Sequence, residues 1–202
     1  MTRLVVGLGN PGPEYEKTRH NVGFEVLERL AGGKSLFQTA SKLAKSDGYA
    51  GPRAFQWARL SKPAAFLLMP ETFMNRSGEV VLPIARFLWE DVRTEDVLVV
   101  YDDMDLPVAG LRIRPHGGAG GQKGMRSIIE TLGTDRFRRL RIGIGRPGTD
   151  AARHVLSRFD ANERVEMDIS VAEASEAILD WLETGDIEGC MTRFHSRWTQ
   201  DS

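Results

Sequence analysis

The sequence predicts an α/β fold: a single-domain three-layer sandwich with a mixed, mostly parallel central sheet flanked by helices. Two observations carry this. Short apolar runs at residues 4–6, 64–69, 97–101 and 140–144 have the length and composition of buried strands. Between them lie segments whose apolar residues recur at helical spacing, the pattern of parallel strands joined by crossover helices. The 202 residues suit one domain, 1–202, with a core large enough to need no disulfide or metal.

The elements follow in order. Leu4-Val5-Val6 runs into Gly7-Leu8-Gly9, a strand entering a glycine-rich loop. Pro11 and Pro13 keep that loop extended, because proline lacks the amide that a helix interior needs. A helix opens at Asn21 and turns Val22, Val26, Leu27 and Leu30 to one face, and Gly32-Gly33 ends it. Residues 34–62 are weakly patterned and read as loop with a short strand around 54–60. The run at 64–69 stops at Pro70. Ser77-Gly78 leads into a helix carrying Val80, Val81, Ile84, Phe87 and Leu88. The clearest strand, 97–101, ends at Asp102-Asp103-Met104-Asp105. Leu111–Arg114 reads as a short strand, 124–132 as a helix and 140–144 as a further strand. Asp160 and Glu163 make a capping box for a long acidic helix. Its apolar face is expected to hold Val165, Ile169, Ala172, Ile178, Leu179 and Leu182.

Composition excludes several classes. An apolar share of 41% with 27% charged residues is ordinary for a globular chain. The longest apolar run, Ala64–Pro70, is far short of the roughly 20 residues of a membrane helix. Residues 2–7 have no leader-like apolar core, so a cytoplasmic protein is expected. A lone cysteine, Cys190, rules out an internal disulfide framework and a multi-cysteine zinc site. The net charge of −1 hides an asymmetry. Residues 112–146 hold nine bases against two acids, a net of +7, whereas 147–202 hold twelve acids against five bases, a net of −7. A basic block with a glycine-rich loop inside it suggests a phosphate-bearing polyanion.

Two familiar motifs fail. Gly7-Leu8-Gly9-Asn10-Pro11-Gly12 matches the spelling of the dinucleotide fingerprint, but the prolines prevent its last glycines from opening a helix. Gly33-Lys34-Ser35 resembles the end of a P-loop, yet Glu28 stands where the leading glycine is required. Of four histidines, His195 is expected at the surface, His154 suits packing and His116 borders the glycine loop. His20 lies between the Asn10 loop and a helix start, on the edge where open α/β sheets place their sites. A carboxylate behind such a histidine would hold one tautomer and make it a general base. Asp102, at the end of its strand, can reach that edge, and so can Asp103 and Asp105. Asn10 and Asn75 offer neutral amides that can grip a peptide group or a water, although asparagine is also a routine turn residue. Tyr15 and Phe73 offer flat faces for a nucleobase, or ordinary packing.

Together these motifs resemble bacterial-type peptidyl-tRNA hydrolases. The resemblance rests on the Gly7–Gly12 run, Tyr15, Thr18-Arg19-His20-Asn21-Val22-Gly23 and Phe73-Met74-Asn75-Arg76-Ser77-Gly78. It continues through Asp102-Asp103-Met104-Asp105-Leu106-Pro107, the glycine loop at 117–124, and Arg139-Leu140-Arg141 through Pro147. It implies metal-free hydrolysis of the ester between a peptide and the 3′ end of tRNA, with no cofactor. It further implies His20 as base, Asp102 as its support and Asn10 as the residue that positions the reacting group. Tyr15, Phe73, Asn75 and Lys123 would contact substrate, and Arg114 and Arg141 the tRNA phosphate. The implied partner is tRNA, with no membrane and no obligate protein partner, and the chain is expected to be a monomer. One departure stands out: the family's Gly-Gly-His-Asn-Gly is Gly120-Gly121-Gln122-Lys123-Gly124 here. Lysine cannot accept a hydrogen bond, but it can bind phosphate as a point charge. The alternative is a non-catalytic RNA-binding relative, of the kind that serves in chloroplast intron splicing.

Overall fold

The computed structural model describes residues 2–195 except 147 and 149, with His195 described in its backbone only. The strands are β1 (Arg3–Gly7), β2 (Gln38–Thr39), β3 (Phe55–Ser61), β4 (Ala64–Pro70), β5 (Val97–Asp103), β6 (Leu111–Arg114) and β7 (Arg138–Gly143). They form one mixed sheet in the order β2-β3-β4-β1-β5-β7-β6. The central four, β4-β1-β5-β7, are parallel, and the flanking strands join antiparallel. The helices are α1 (Val22–Ala31), α2 (Ala40–Asp47), α3 (Gly78–Leu88), α4 (Lys123–Leu132), α5 (Ala151–Val155), α6 (Ala161–Thr184) and α7 (Ile187–His195).

Side-chain alternation along the strands splits the core in two. Val5, Leu98 and Val100 face α1, α6 and α7, through Val26, Val171, Ile178 and Ile187. Leu4, Val6, Val97 and Val99 face α2, α3 and α4, through Leu43, Val81, Ile84 and Ile128. Two glycines set the depth of α1. A Cβ on Gly23 would lie 2.5 Å from Val100 O and 2.6 Å from Leu8 N, and one on Gly7 would lie 2.5 Å from Gly23 O. The helix therefore starts in backbone contact with β1 and β5, which delivers the residues just before it to the carboxyl ends of those strands. The Gly7-Leu8-Gly9 run serves this close packing.

The structure departs from the sequence expectations at three places. Residues 34–62 contain α2 and β2 as well as β3. Only Ala40 and Leu43 of α2 are buried, too few to print a stripe. α5 went unread for the same reason, having no buried residue. The third is the face of α6: Val165 and Ile169 are 63% and 56% exposed. The buried stripe runs through Met167, Val171, Ala174, Ile178 and Trp181, about 200° round the helix from Val165 at 3.6 residues per turn. Trp181, wholly enclosed, sets that phase. No helix among the described residues is long and apolar enough to cross a membrane.

Candidate active site

A cleft of about 1010 Å³ opens where β1, β4 and β5 end, bounded by the loops after them and by the glycine loop before α4. His20 enters it from a single 3-10 turn, Arg19–Asn21, that runs directly into α1. Its neighbours are anchors more deeply buried than the histidine. Arg19 donates to Ile144 O (3.1 Å), Ser157 Oγ (3.2 Å) and Glu163 Oε2 (2.6 Å), and its guanidinium lies 4.6 Å from the Phe159 ring centroid. Asn21 pairs with the backbone of Asn10 through both its amide atoms. A turn held on both sides leaves the imidazole little freedom.

Asp102 Oδ2 lies 2.8 Å from His20 Nδ1, with the side chains 2% and 12% exposed. An ionised carboxylate only accepts, so Nδ1 carries the proton and Nε2 is left as the bare acceptor. Nε2 has no hydrogen-bond partner among the described residues. The other carboxylate oxygen, Oδ1, accepts from Gln122 Nε2 at 3.0 Å. Asp103 and Asp105, open alternatives on the sequence, are occupied elsewhere. Asp103 pairs with Arg141, and the exposed Asp105 faces Arg146 at 3.8 Å.

Asn10 is buried at the cleft wall. Its Oδ1 accepts from Met74 N at 2.9 Å, which turns Nδ2 away as a spare donor with no partner among the described residues. Phe73, 58% exposed, Asn75 and Lys123 line the same cleft. Tyr15 does not: it is half-buried, outside the cleft lining, and its carbonyl takes bonds from Thr18 N and Oγ1. His116 is exposed on the cleft wall. His154 Nε2 sits 3.0 Å from both Ile144 O and Gly145 O, a packing role. The side chain of His195 lies outside the described residues, as do Pro147, the last residue of the Arg139-to-Pro147 motif, and Arg197.

One face of the β6–β7 pair is apolar, with Leu111, Ile113, Leu140 and Ile142 in the core. Alternation puts Arg112, Arg114, Arg139 and Arg141 on the other. They oppose one another directly, Arg112 with Arg141 and Arg114 with Arg139, an arrangement that is destabilising for like charges. Arg139 is buried and spends its guanidinium on Gly118 O and Asp135 O, each at 2.8 Å. Burial, then Arg112 and Arg141, push the Arg114 guanidinium below its ordinary value. Among the described residues, neither Arg114 nor Arg141 pairs with an acid of α6. Glu163, Asp168 and Asp180 pair instead with Arg19, Arg164 and Arg193. No cluster of three or more His, Cys, Asp or Glu side chains suited to a metal occurs among the described residues.

The residues missed on the sequence are Arg19, Asn21, Met74 and the link made by Gln122. Arg19 and Asn21 abut His20, which was the available signal; the partners of Arg19 lie far along the chain and left none.

An α/β sandwich with a carboxylate-held imidazole, a spare amide donor and an arginine face at one cleft defines a hydrolase-type site. The chain belongs to the peptidyl-tRNA hydrolase family, whose model matches residues 4–201. It is 43% identical to the peptidyl-tRNA hydrolase of Thermoanaerobacter sp. (strain X514), over 95% of this chain and 98% of that one. Identity with the enzyme of Syntrophomonas wolfei is 42%, over 96% and 100%. The crystal structure of the Acinetobacter baumannii peptidyl-tRNA hydrolase matches with a TM-score of 0.79 at 32% identity, covering 96% of this chain and 95% of that one. A peptidyl-tRNA hydrolase bound to N-propanol gives 0.80 at 33%, with the same coverage.

Proposed function

We propose that the chain hydrolyses the ester joining a peptide to the 3′ end of tRNA and so returns free tRNA to translation. The observation that carries this reading is the His20–Asp102 contact of 2.8 Å in a cleft shared with Asn10. His20 Nε2 takes a proton from water as its oxygen attacks the ester carbonyl. Asp102 holds the tautomer and stabilises the imidazolium that forms. The tetrahedral intermediate then expels the ribose 3′ oxygen, which receives the proton back from His20. A positioned base contributes about 10²–10⁴-fold, so donors to the developing oxyanion must supply much of the rest. The spare Asn10 Nδ2 is the donor assigned here.

Phe73 and Asn75 are assigned to the acceptor end and the peptide backbone. Lys123 serves as a point charge for phosphate, and Tyr15 is left out of the direct contacts. Arg114 and Arg141 receive a tRNA phosphate, which would relieve the opposed charges on the β6–β7 face. The enzyme is assigned as a monomer of one domain, 1–202, acting in the cytoplasm.

The test is a time course with N-acetyl-aminoacyl-tRNA. Wild type releases deacylated tRNA, and His20→Ala binds the substrate but leaves the ester intact. Protection of the ester by the wild-type protein would convert the reading to the RNA-binding alternative. Unchanged turnover in His20→Ala would remove this histidine from the mechanism.

A further inference from the structure

Gln122 stands at the N-cap of α4, where its Oε1 accepts from Met125 N at 2.9 Å. A carboxamide has one oxygen, and the cap takes it. The nitrogen is thereby aimed the other way, and Nε2 donates to Asp102 Oδ1 at 3.0 Å and to Met74 Sδ at 3.2 Å. Asp102 then has one oxygen for Gln122 and one for His20. The chain of dependence is short: the helix terminus selects the amide orientation, the amide orients the carboxylate, and the carboxylate holds the imidazole. Both Gln122 and Asp102 are buried, at 9% and 3% exposure, so water competes poorly for these bonds.

We propose that Gln122 is a positioning residue of the hydrolytic site, coupling the N-terminus of α4 to the His20–Asp102 pair through a donor that does not titrate. The inference rests on the roles assigned above to His20 and Asp102. The charged and titratable groups that line the cleft with the pair are Asp103, Asp105, Arg114, His116, Lys123, Arg139 and Arg141. Gln122 adds no charge to them at any pH, so Asp102 keeps its second donor throughout.

Two variants separate this role from simple capping. Gln122→Glu keeps an oxygen for Met125 N whether or not its carboxyl is protonated, so the cap of α4 is retained. It also sets a second carboxyl against Asp102, and two carboxylates that close cannot both ionise. While that carboxyl holds a proton it can donate as the amide does; when it loses the proton the donor is gone. The expected kcat therefore acquires a descending limb with rising pH that wild type lacks, while KM for N-acetyl-aminoacyl-tRNA stays within about twofold. Gln122→Met keeps bulk and loses all three bonds. Its kcat falls about tenfold or more at every pH, a loss within the range a positioned base contributes, and its melting temperature falls as well. A wild-type pH profile in Gln122→Glu, with only thermal stability lost in Gln122→Met, makes Gln122 a helix cap alone and overturns the inference. His20→Ala in the same assay distinguishes the failures: retained turnover there defeats the functional reading, whereas lost turnover beside wild-type Gln122 variants defeats only this one.

Discussion

Asn21 grips the backbone of Asn10 from both sides. Its Oδ1 accepts from Asn10 N and its Nδ2 donates to Asn10 O, each at 2.9 Å. A side-chain amide here replaces the neighbouring strand that the loop after β1 lacks. Because Asn21 directly follows His20, the same bonds lock the turn carrying the base to the loop carrying the amide.

Asn21→Ala should lower both stability and kcat. It leaves a buried donor and a buried acceptor unpaired, at about 1–3 kcal/mol each. Asn21→Asp keeps the acceptor for Asn10 N but sets an oxygen against Asn10 O, so it should lose stability as well. Urea denaturation of the three proteins checks that both variants fall below wild type. An Ala variant as stable and active as wild type would show that the loop holds itself.

Asp102→Asn and Asp103→Asn should differ in kind. The first leaves one oxygen for two donors, His20 Nδ1 and Gln122 Nε2, and removes the charge that stabilises the imidazolium, so it should cost about 10- to 10³-fold in kcat, part of what a positioned base contributes, with KM little changed. The second releases Arg141 and should act mainly on KM for full-length substrate. Steady-state kinetics on folded variants decide this. A larger kcat loss from Asp103→Asn would transfer the supporting role to that residue.

The arginine face should read phosphate. Arg114→Ala is the cleaner probe, because Arg141→Ala also unpairs Asp103. Each phosphate left without its arginine should flatten the slope of log affinity against log salt by roughly one. KM should rise for full-length peptidyl-tRNA and stay unchanged for a minimal substrate ending in the terminal adenosine. Equal losses on both substrates would mean that these arginines serve the fold.

Alkaline stability should depend on Cys190. Burial, reinforced by Asp180, pushes its thiol up from 9.0 to about 12, and Sγ donates to Ala177 O at 3.3 Å. The unfolded chain loses this proton near 9, whereas the folded chain keeps it to about 12. The folded state thus binds more protons over that interval, and stability falls as pH rises through it. Cys190→Ala should make the fall in melting temperature above about pH 9 less steep. Tyr49 and Tyr101, whose hydroxyls burial also pushes up, contribute to the same fall. An identical slope in Cys190→Ala would remove Cys190 from the effect.

What the sequence determined by itself was local. Apolar runs bounded by glycine and proline marked β1, β4 and β5, and Asp160 with Glu163 announced the start of α6 through a capping box that the structure contains. The candidate residues His20, Asn10, Phe73 and Asn75 were legible because loops after parallel strands converge on one edge. The arginine face was legible as alternation about Leu140.

Tertiary packing decided the rest, because it depends on partners distant along the chain. Which of Asp102, Asp103 and Asp105 meets His20 was settled by the depth at which Gly7 and Gly23 let α1 approach β1 and β5. The face of α6 was settled by enclosure of Trp181, since a helix with apolar residues on two sides can be phased either way from its own sequence. Gln122 looked like a lost histidine until its oxygen was committed to Met125 N and its nitrogen to Asp102. A side-chain amide has no preferred direction of its own, and only the groups packed around it give it one.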